Sequence, residues 1–443
     1  MKLPTLISTS LLSLALSLPL QAAEADWPMF QKDPQHTGQS KVSRSVKDPV
    51  IRWKMPVGVS GWLNSPLIAD QKVFIGSSGY LWQMPDFEEG NESESLKTDG
   101  VYAFDLKSGK ALWYAPAGND VNGIAYDQDT VYATGDEGAV WALEAGSGTQ
   151  KWKTALGSTT YQLLVHQGVV YSGNNQGQFF ALDAKSGKIL WKTQLEGAIR
   201  AGAALAEDRL ILGTTAGKVY ALSLKGKIRW QQDIQKLYPE YSQGEYKTPV
   251  EVYASATIYK QSAIIGFARD TLYPTPALLA FDIRTGKQLW QGDANNDRSN
   301  WGNIRTSPVL YKDLLIYAEP YSNEVIAIRA DTGKALGSTA LGFEMFPQWA
   351  SPALSGELVI IPRHDGGLYS LSAAKGKPAW SLYIGEPNLA GKKFPEGITS
   401  GGGATYTHPN IGDAVFSSPA ISNQGEILIA AGGYLYCIVD ASW

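Results

Sequence analysis

Ala181-Leu-Asp183-Ala-Lys-Ser-Gly187-Lys-Ile-Leu-Trp191 is one copy of a phrase, A-x-D-x-x-[ST]-G-x-x-x-W, that recurs along the chain. Ala103-Phe-Asp105-Leu-Lys-Ser-Gly109-Lys-Ala-Leu-Trp113 and Ala280-Phe-Asp282-Ile-Arg-Thr-Gly286-Lys-Gln-Leu-Trp290 repeat it. Trp113, Trp152, Trp191 and Trp230 follow one another at equal intervals of 39 residues. A fixed period of this size marks stacked supersecondary units, none of which can bury its apolar face alone. One period reads as four short strands: Val121 to Tyr126, Thr130 to Thr134, Ala139 to Glu144 and Gln150 to Ala155. Tight turns separate them, with glycine at Gly135, Gly138, Gly146 and Gly148. Four antiparallel strands in about 40 residues describe a blade of a β-propeller.

The closing tryptophans Trp113, Trp152, Trp191, Trp230, Trp290 and Trp380 count six blades. A degenerate copy, Ala327-Ile-Arg-Ala-Asp-Thr-Gly333-Lys-Ala-Leu-Gly337, makes a seventh with Gly337 in the tryptophan position. An eighth starts at Ser417-Ser-Pro419 and lacks its last strand. Val50-Ile-Arg-Trp53-Lys-Met at the other end has the form of a closing strand with no blade before it. The expectation is an all-β, eight-bladed propeller over residues 50–443, its last blade closed by the N-terminal strand. Such pairing removes two open sheet edges. Each Trp, including Trp53, is read as lying flat across the next blade where Gly leaves room, with Asp and Ser/Thr bonding the turn backbone.

Apolar residues at 44% and charged residues at 18% describe a globular chain. A formal charge of −4 and the lack of any Lys/Arg-rich run give no electrostatic case for nucleic acid. Residues 1–25 read as a signal peptide. Lys2 precedes the apolar stretch Leu11 to Leu20, which is too short to span a bilayer, and Ala23-Glu-Ala25 is a small-x-small cleavage site. The expected destination is the periplasm, with secretion as the other outcome. Residues 26–49 read as an N-terminal arm. Cys437, the sole cysteine, excludes an intramolecular disulfide and reads as a buried small residue.

The tryptophan phrase resembles the docking motif of the quinoprotein-type propellers, the PQQ-like repeat proteins, over roughly residues 50–443. Asp26-Trp-Pro-Met-Phe-Gln-Lys-Asp33-Pro-Gln-His36-Thr-Gly38 looks like the leader that precedes the propeller in periplasmic PQQ-like and BamB-like members; His36 within it reads as packed. The resemblance implies an eight-bladed propeller and two functional classes. One is the dehydrogenases that hold pyrroloquinoline quinone (PQQ) with Ca²⁺ on the propeller axis. The other is the non-catalytic group resembling the BamB outer-membrane assembly factors, which bind partner proteins through loops. A lone cysteine departs from the adjacent-cysteine disulfide of the dehydrogenases, so the second class is favoured.

Length variation selects a face. The turns Asp70-Gln71, Asp127-Gln-Asp129, Gln167-Gly168 and Glu207-Asp208 are short, as is each Ser/Thr-Gly-Lys turn. The long connections are Gly79 to Gly100, Gln231 to Pro249, Arg269 to Pro276, Gln291 to Asn303 and Tyr383 to Asp413. All of these join second to third or fourth to first strands and emerge on one face, where binding is expected. Tyr80, Trp82, Tyr241 and Tyr246 stand there among acids. Residues entering the first strands are expected to line the mouth of the axial channel: Trp62, Asn64, Asn122, Gln162, Arg200, Tyr253, Asn303, Arg305, Gln348 and Phe416. Arg200 and Arg305 make it suited to a carboxylate. The tentative binding set is Trp62, Asn64, Arg200, Tyr253, Trp301, Arg305, Trp349 and His408.

No catalytic residue or metal site is assigned. Asp293-Ala-Asn295-Asn-Asp297-Arg-Ser299 has calcium-loop spacing, but Arg298 and Ile304 stand where glycine and a bidentate acid belong. His36, His166, His364 and His408 form no spaced pair. The reading is an exported, monomeric, non-catalytic scaffold for a cell-envelope protein partner, without a transmembrane segment. A periplasmic PQQ-dependent oxidoreductase is the alternative, with PQQ and Ca²⁺ as its cofactors, and saccharide binding comes third.

Overall fold

The computed structural model describes residues 26–42, 44–58, 64–77, 99–239, 250–269, 278–292, 303–320, 322–342, 349–385, 388, 390, 391 and 415–443. Eight four-stranded antiparallel sheets follow one another along the chain. Blade 1 consists of Leu67–Ala69, Lys72–Ser77, Gly100–Asp105 and Ala111–Pro116. Blades 2 to 7 occupy residues 121–155, 160–194, 204–233, 257–291, 309–340 and 353–383. Blade 8 combines Ala420–Ile421, Ile427–Ala431 and Tyr434–Asp440 with Pro49–Pro56 from the opposite end of the chain. Closure therefore occurs as expected, with Trp53 opposite Cys437. Cys437 is buried, and burial pushes its thiol up to about 12. Ile234–Leu237 is the only helix among the described residues.

The repeated phrase holds the blades together. The indole N–H of Trp53 donates to the Leu106 carbonyl of blade 1, and that of Trp113 to Ala145 of blade 2, each at 3.0 Å. Trp152, Trp191, Trp230 and Trp290 repeat the bond to Ala184, Leu224, Ile283 and Ala330 of the following blade. Trp380 reaches the Val46 carbonyl at 2.8 Å. Each ring between Trp53 and Trp290 lies on a turn glycine of the next blade. A Cβ on Gly109 would sit 2.7 Å from Trp53, and one on Gly187 2.5 Å from Trp152. These glycines also have φ near +70°, where a side chain is strained. Asp105 and Asp183 accept from the amide and hydroxyl of Ser108 and Ser186, as Asp282 does from Thr285.

Blade 8 makes the equivalent turn from two pieces. Asp440 accepts from Ser442 and, across the chain ends, from the Lys47 and Asp48 amides. Those bonds hold its carboxyl well below the usual range.

Every outer strand carries a bulge at the residue before the tryptophan position. In blade 3, Ala181 pairs with Trp191 and Leu182 with Ile189, which leaves Leu190 unpaired. The same shift occurs at Leu112, Arg229, Leu289 and Leu336. A bulge twists the outer strand, re-aims the ring toward the next blade and blunts an edge that would otherwise template strand addition.

The N-terminal arm takes a course that its sequence does not disclose. It runs round the propeller axis against the innermost strands. Trp27 exchanges backbone bonds with Ile68 of blade 1, and Tyr126 of blade 2 donates to Pro28. Met29 belongs to the same buried cluster as Leu163 and Val165 of blade 3. Leu205, Ile258, Leu310 and Leu354 of blades 4 to 7 then donate to Pro34, Gln35, Thr37 and Gly38 in turn. Gln39–Ser40 pairs in parallel with blade 7, and Ser40 reaches the Ile421 carbonyl of blade 8. Inner strands present unpaired N–H groups to the axis, and the arm carbonyls satisfy them. All these contacts lie just before the short hairpin turns, such as Asp70-Gln71, where both residues have positive φ. The arm thus covers the inner strands of successive blades at the short-turn face. His36 is packed within it. Its Nδ1 lies 3.2 Å from the Ala256 carbonyl, and burial holds its pKa down to about 4.

Candidate functional site

Opposite the arm, at the other end of the inner strands, lies the face of the long connections. Those connections leave from Ser77 and return at Gly100, or pass from the outer strand of one blade to the inner strand of the next. Trp62, Trp301, Gln348, His408, the Asp293–Ser299 loop, the long-connection residues Tyr80, Trp82, Tyr241 and Tyr246, and the signal region all lie outside the described residues.

The mouth is built by register. Arg200, Tyr253, Arg305, Trp349 and Phe416 each stand four residues ahead of an inner strand, those beginning at Ala204, Thr257, Val309, Ala353 and Ala420. The same position in five successive blades forms an arc around the axis. Beneath it, serines stitch the inner strands together. Ser255 Oγ accepts from the Gly202 amide, Ser351 Oγ from Ser307 and Ser418 Oγ from Ser351, at 2.8–3.0 Å. This fixes the arc on a rigid base.

Four of the candidates selected from sequence come into contact. The Arg200 guanidinium lies 5.4 Å from the Tyr253 ring and 6.0 Å from Tyr161. The Arg305 guanidinium lies 4.8 Å from Tyr253 and 4.6 Å from Trp349. Tyr253 and Trp349 meet edge to face at 5.4 Å. The Tyr253 hydroxyl accepts from Arg200 at 3.3 Å and donates to Glu251 at 2.6 Å. Arg305 Nη2 donates to the Arg269 carbonyl at 2.9 Å. Tyr253 and Trp349 are buried, whereas Arg200 and Arg305 are half-buried, so two cations sit on an aromatic base that orients them. Arg200 Nε is buried and has no hydrogen-bond partner among the described residues.

The remaining candidates tie blades together. Asn64 donates to the Val121 carbonyl, and Gln162 accepts from Gly202 and Ser255. Asn303 accepts from the Arg269 amide. Tyr161, Glu251 and Arg269 belong to the site although sequence reading passed over them. Tyr161 was detectable as the neighbour of Gln162 on a first strand; Glu251 and Arg269 carry no repeat signature.

The other side of the mouth is acidic. Asp120, at the entry to blade 2, is pushed up to about 7 by burial and by the nearby Asp136 and Asp99. Asn122 donates to Asp136 at 2.7 Å and to the Thr160 carbonyl at 3.0 Å. A carboxyl whose native pKa is raised costs stability once ionised, so stability falls as pH climbs from about 4 through about 7. Asp120→Asn is expected to flatten that slope and to raise the melting temperature at pH 8 while changing little at pH 4. Thermal melts across this range check it; an unchanged slope refutes it.

Arg200 and Arg305 match the carboxylates of a planar anion such as PQQ. Calcium needs several oxygen ligands on one point. Among the described residues, no three His, Cys, Asp or Glu side chains converge to supply them.

A search of curated protein sequences finds no match to the chain. Solved structures with the same fold include BamB from Moraxella catarrhalis, at 15% identity and a TM-score of 0.59, covering 89% of this chain and 98% of that one. A europium-containing methanol dehydrogenase matches at 13% and 0.66, covering 94% and 98%. The computationally designed protein Ika8 matches at 14% and 0.59, covering 86% and 98%. BamB, a dehydrogenase and a designed protein match alike, so these likenesses establish the fold alone. A family model described as outer membrane protein assembly factor BamB matches residues 97–240 and 164–382. These two spans cover more than half of the sequence, and the chain belongs to that BamB-like family of PQQ-type propellers.

Proposed function

We propose that the protein is an exported, non-catalytic scaffold that engages a cell-envelope protein through its long-connection face. The partner places a carboxylate, from a side chain or a chain terminus, between Arg200 and Arg305. The observation that carries this reading is the pair of half-buried guanidinium groups held on Tyr253 and Trp349 at the long-connection end of the inner strands. Family membership supports a partner-binding role. The signal-like N-terminus supports export to the periplasm.

Hydrogen bonds to charged groups contribute about 1.5–3 kcal/mol each. Arg200→Ala or Arg305→Ala is therefore expected to weaken partner binding by about tenfold or more without unfolding the propeller, as read by titration calorimetry. Unchanged affinity in both variants removes the carboxylate from the account.

The quinoprotein alternative rests on the same arginines and on the dehydrogenase fold likeness. Thermal shift with PQQ, with and without Ca²⁺, separates the two. Binding to the native state raises the melting temperature. The scaffold reading predicts no calcium-dependent rise, and a saturable one would favour the oxidoreductase.

A further inference from the structure

One seam between blades is built for a tryptophan that the chain does not supply. Gly337 of blade 6 pairs with Ala327 as Trp290 pairs with Ala280 in blade 5. The receiving turn on blade 7 is intact. The Gly376 amide donates to Ser372 at 2.8 Å, as Gly187 does to Asp183. Thr339 Oγ1 donates to the Gly376 carbonyl at 2.6 Å, as Thr154 does to Gly187 beside the docked Trp152. The ring is lacking, and Gly337 itself has φ +157°, which a tryptophan rarely adopts. A Cβ on Gly337 would meet nothing within 4 Å, and one on Gly376 would meet only Thr339 Oγ1 at 3.3 Å. In the equivalent seams the same test atom strikes an indole at 2.5–2.8 Å. The Ala373 carbonyl occupies the place of the Ala184 and Ala330 carbonyls that accept from Trp152 and Trp290. Leu336, beside the slot, is 54% exposed and heads the exposed large apolar residues.

We propose that this slot between blades 6 and 7 is a docking site for an indole side chain presented by a partner protein. The occupant is specified by the chain itself, which fills the six seams from Trp53 to Trp290 with tryptophan on glycine and an N–H bond to a carbonyl two or three residues before that glycine. Tryptophan is also among the side chains that dominate interface energetics, because it buries a large area with one donor to satisfy. The slot lies on the outer wall, apart from the mouth, and does not depend on the carboxylate reading.

The test titrates N-acetyl-tryptophanamide into full-length mature protein carrying labelled Leu and Ala methyl groups. The expected result is a saturating shift of the Leu336 and Ala373 methyl signals at millimolar ligand, absent in Gly337→Trp. That variant places an indole at the slot in cis, and because Gly337 has φ +157°, where a side chain is strained, occupancy is read from the lost shift and not from the melting temperature. No shift, or the same shift in Gly337→Trp, overturns the proposal. Concentration-dependent self-association that Gly337→Trp abolishes would assign the slot to a second copy of this chain and refute the partner reading.

Discussion

Trp53→Ala is expected to lower the unfolding free energy by up to about 3 kcal/mol, the low end of the range for truncating a large aromatic, because the ring is half-buried. Trp53 works at the junction of the two chain ends. Its strand supplies the outer edge of blade 8, and its ring covers Gly109 of blade 1 while donating to Leu106. The loss therefore falls on the seam that closes the ring of blades. Because a ring opened at one seam exposes edges on two blades, the transition should also broaden, with blades 8 and 1 exchanging amides first. Urea denaturation with hydrogen exchange measures both effects. Trp53→Phe should recover the area term but lose the bond to Leu106, and so lie between the parent and the alanine variant. A neutral Trp53→Ala would contradict closure by the N-terminal strand.

Trp27→Ala carries the second large effect, about 3–5 kcal/mol. Trp27 is fully buried and anchors the start of the arm through its bridge to Ile68. Without the anchor, the arm should peel from blades 1 and 2 first. The Ile68 and Tyr126 amides, which donate to the Trp27 and Pro28 carbonyls, should then exchange faster than those of Leu310 and Leu354. Equal protection throughout, or unchanged stability, would show that the arm does not cover the inner strands. The indole N–H of Trp27 has no acceptor among the described residues. Trp27→Phe should therefore be tolerated better than Trp53→Phe, a comparison that separates packing from hydrogen bonding.

The scaffold was legible because the docking phrase is local and repeated. Trp, Gly, Asp and Ser stand at fixed offsets, and each offset has a mechanical cause in the bulge, the positive-φ turn and the Asp-capped hairpin. Closure was legible because an outer strand without a blade and a blade without an outer strand stand at opposite ends. The arm's path was not. Its bonds run from backbone N–H groups of inner strands to arm carbonyls, and such bonds leave no side-chain pattern to read. The bulge was hidden for the same reason, since Leu112 and Leu190 look like ordinary strand residues until the register is known.

The mouth fell between these cases. Arg200, Tyr253, Arg305 and Trp349 were selected as residues entering first strands, and a shared register brings them together. Asn64 and Gln162 were selected on the same ground and instead bridge neighbouring blades, because their amides find inner-strand partners before they reach the channel. Type and position alone do not separate a lining residue from a stitching one; that difference depends on the distance to the next blade.

The central claim is that the carboxylate-bearing partner engages the long-connection face and not the short-turn face, where the arm covers the inner strands. Site-specific photo-crosslinking in intact cells tests it most directly, with the photoreactive residue at Asn122 by the mouth or at Gln128 in a short turn. The account predicts a discrete protein adduct from position 122 that Arg200→Ala diminishes, and none from position 128. An adduct from position 128 alone would contradict it and place the binding surface on the opposite face.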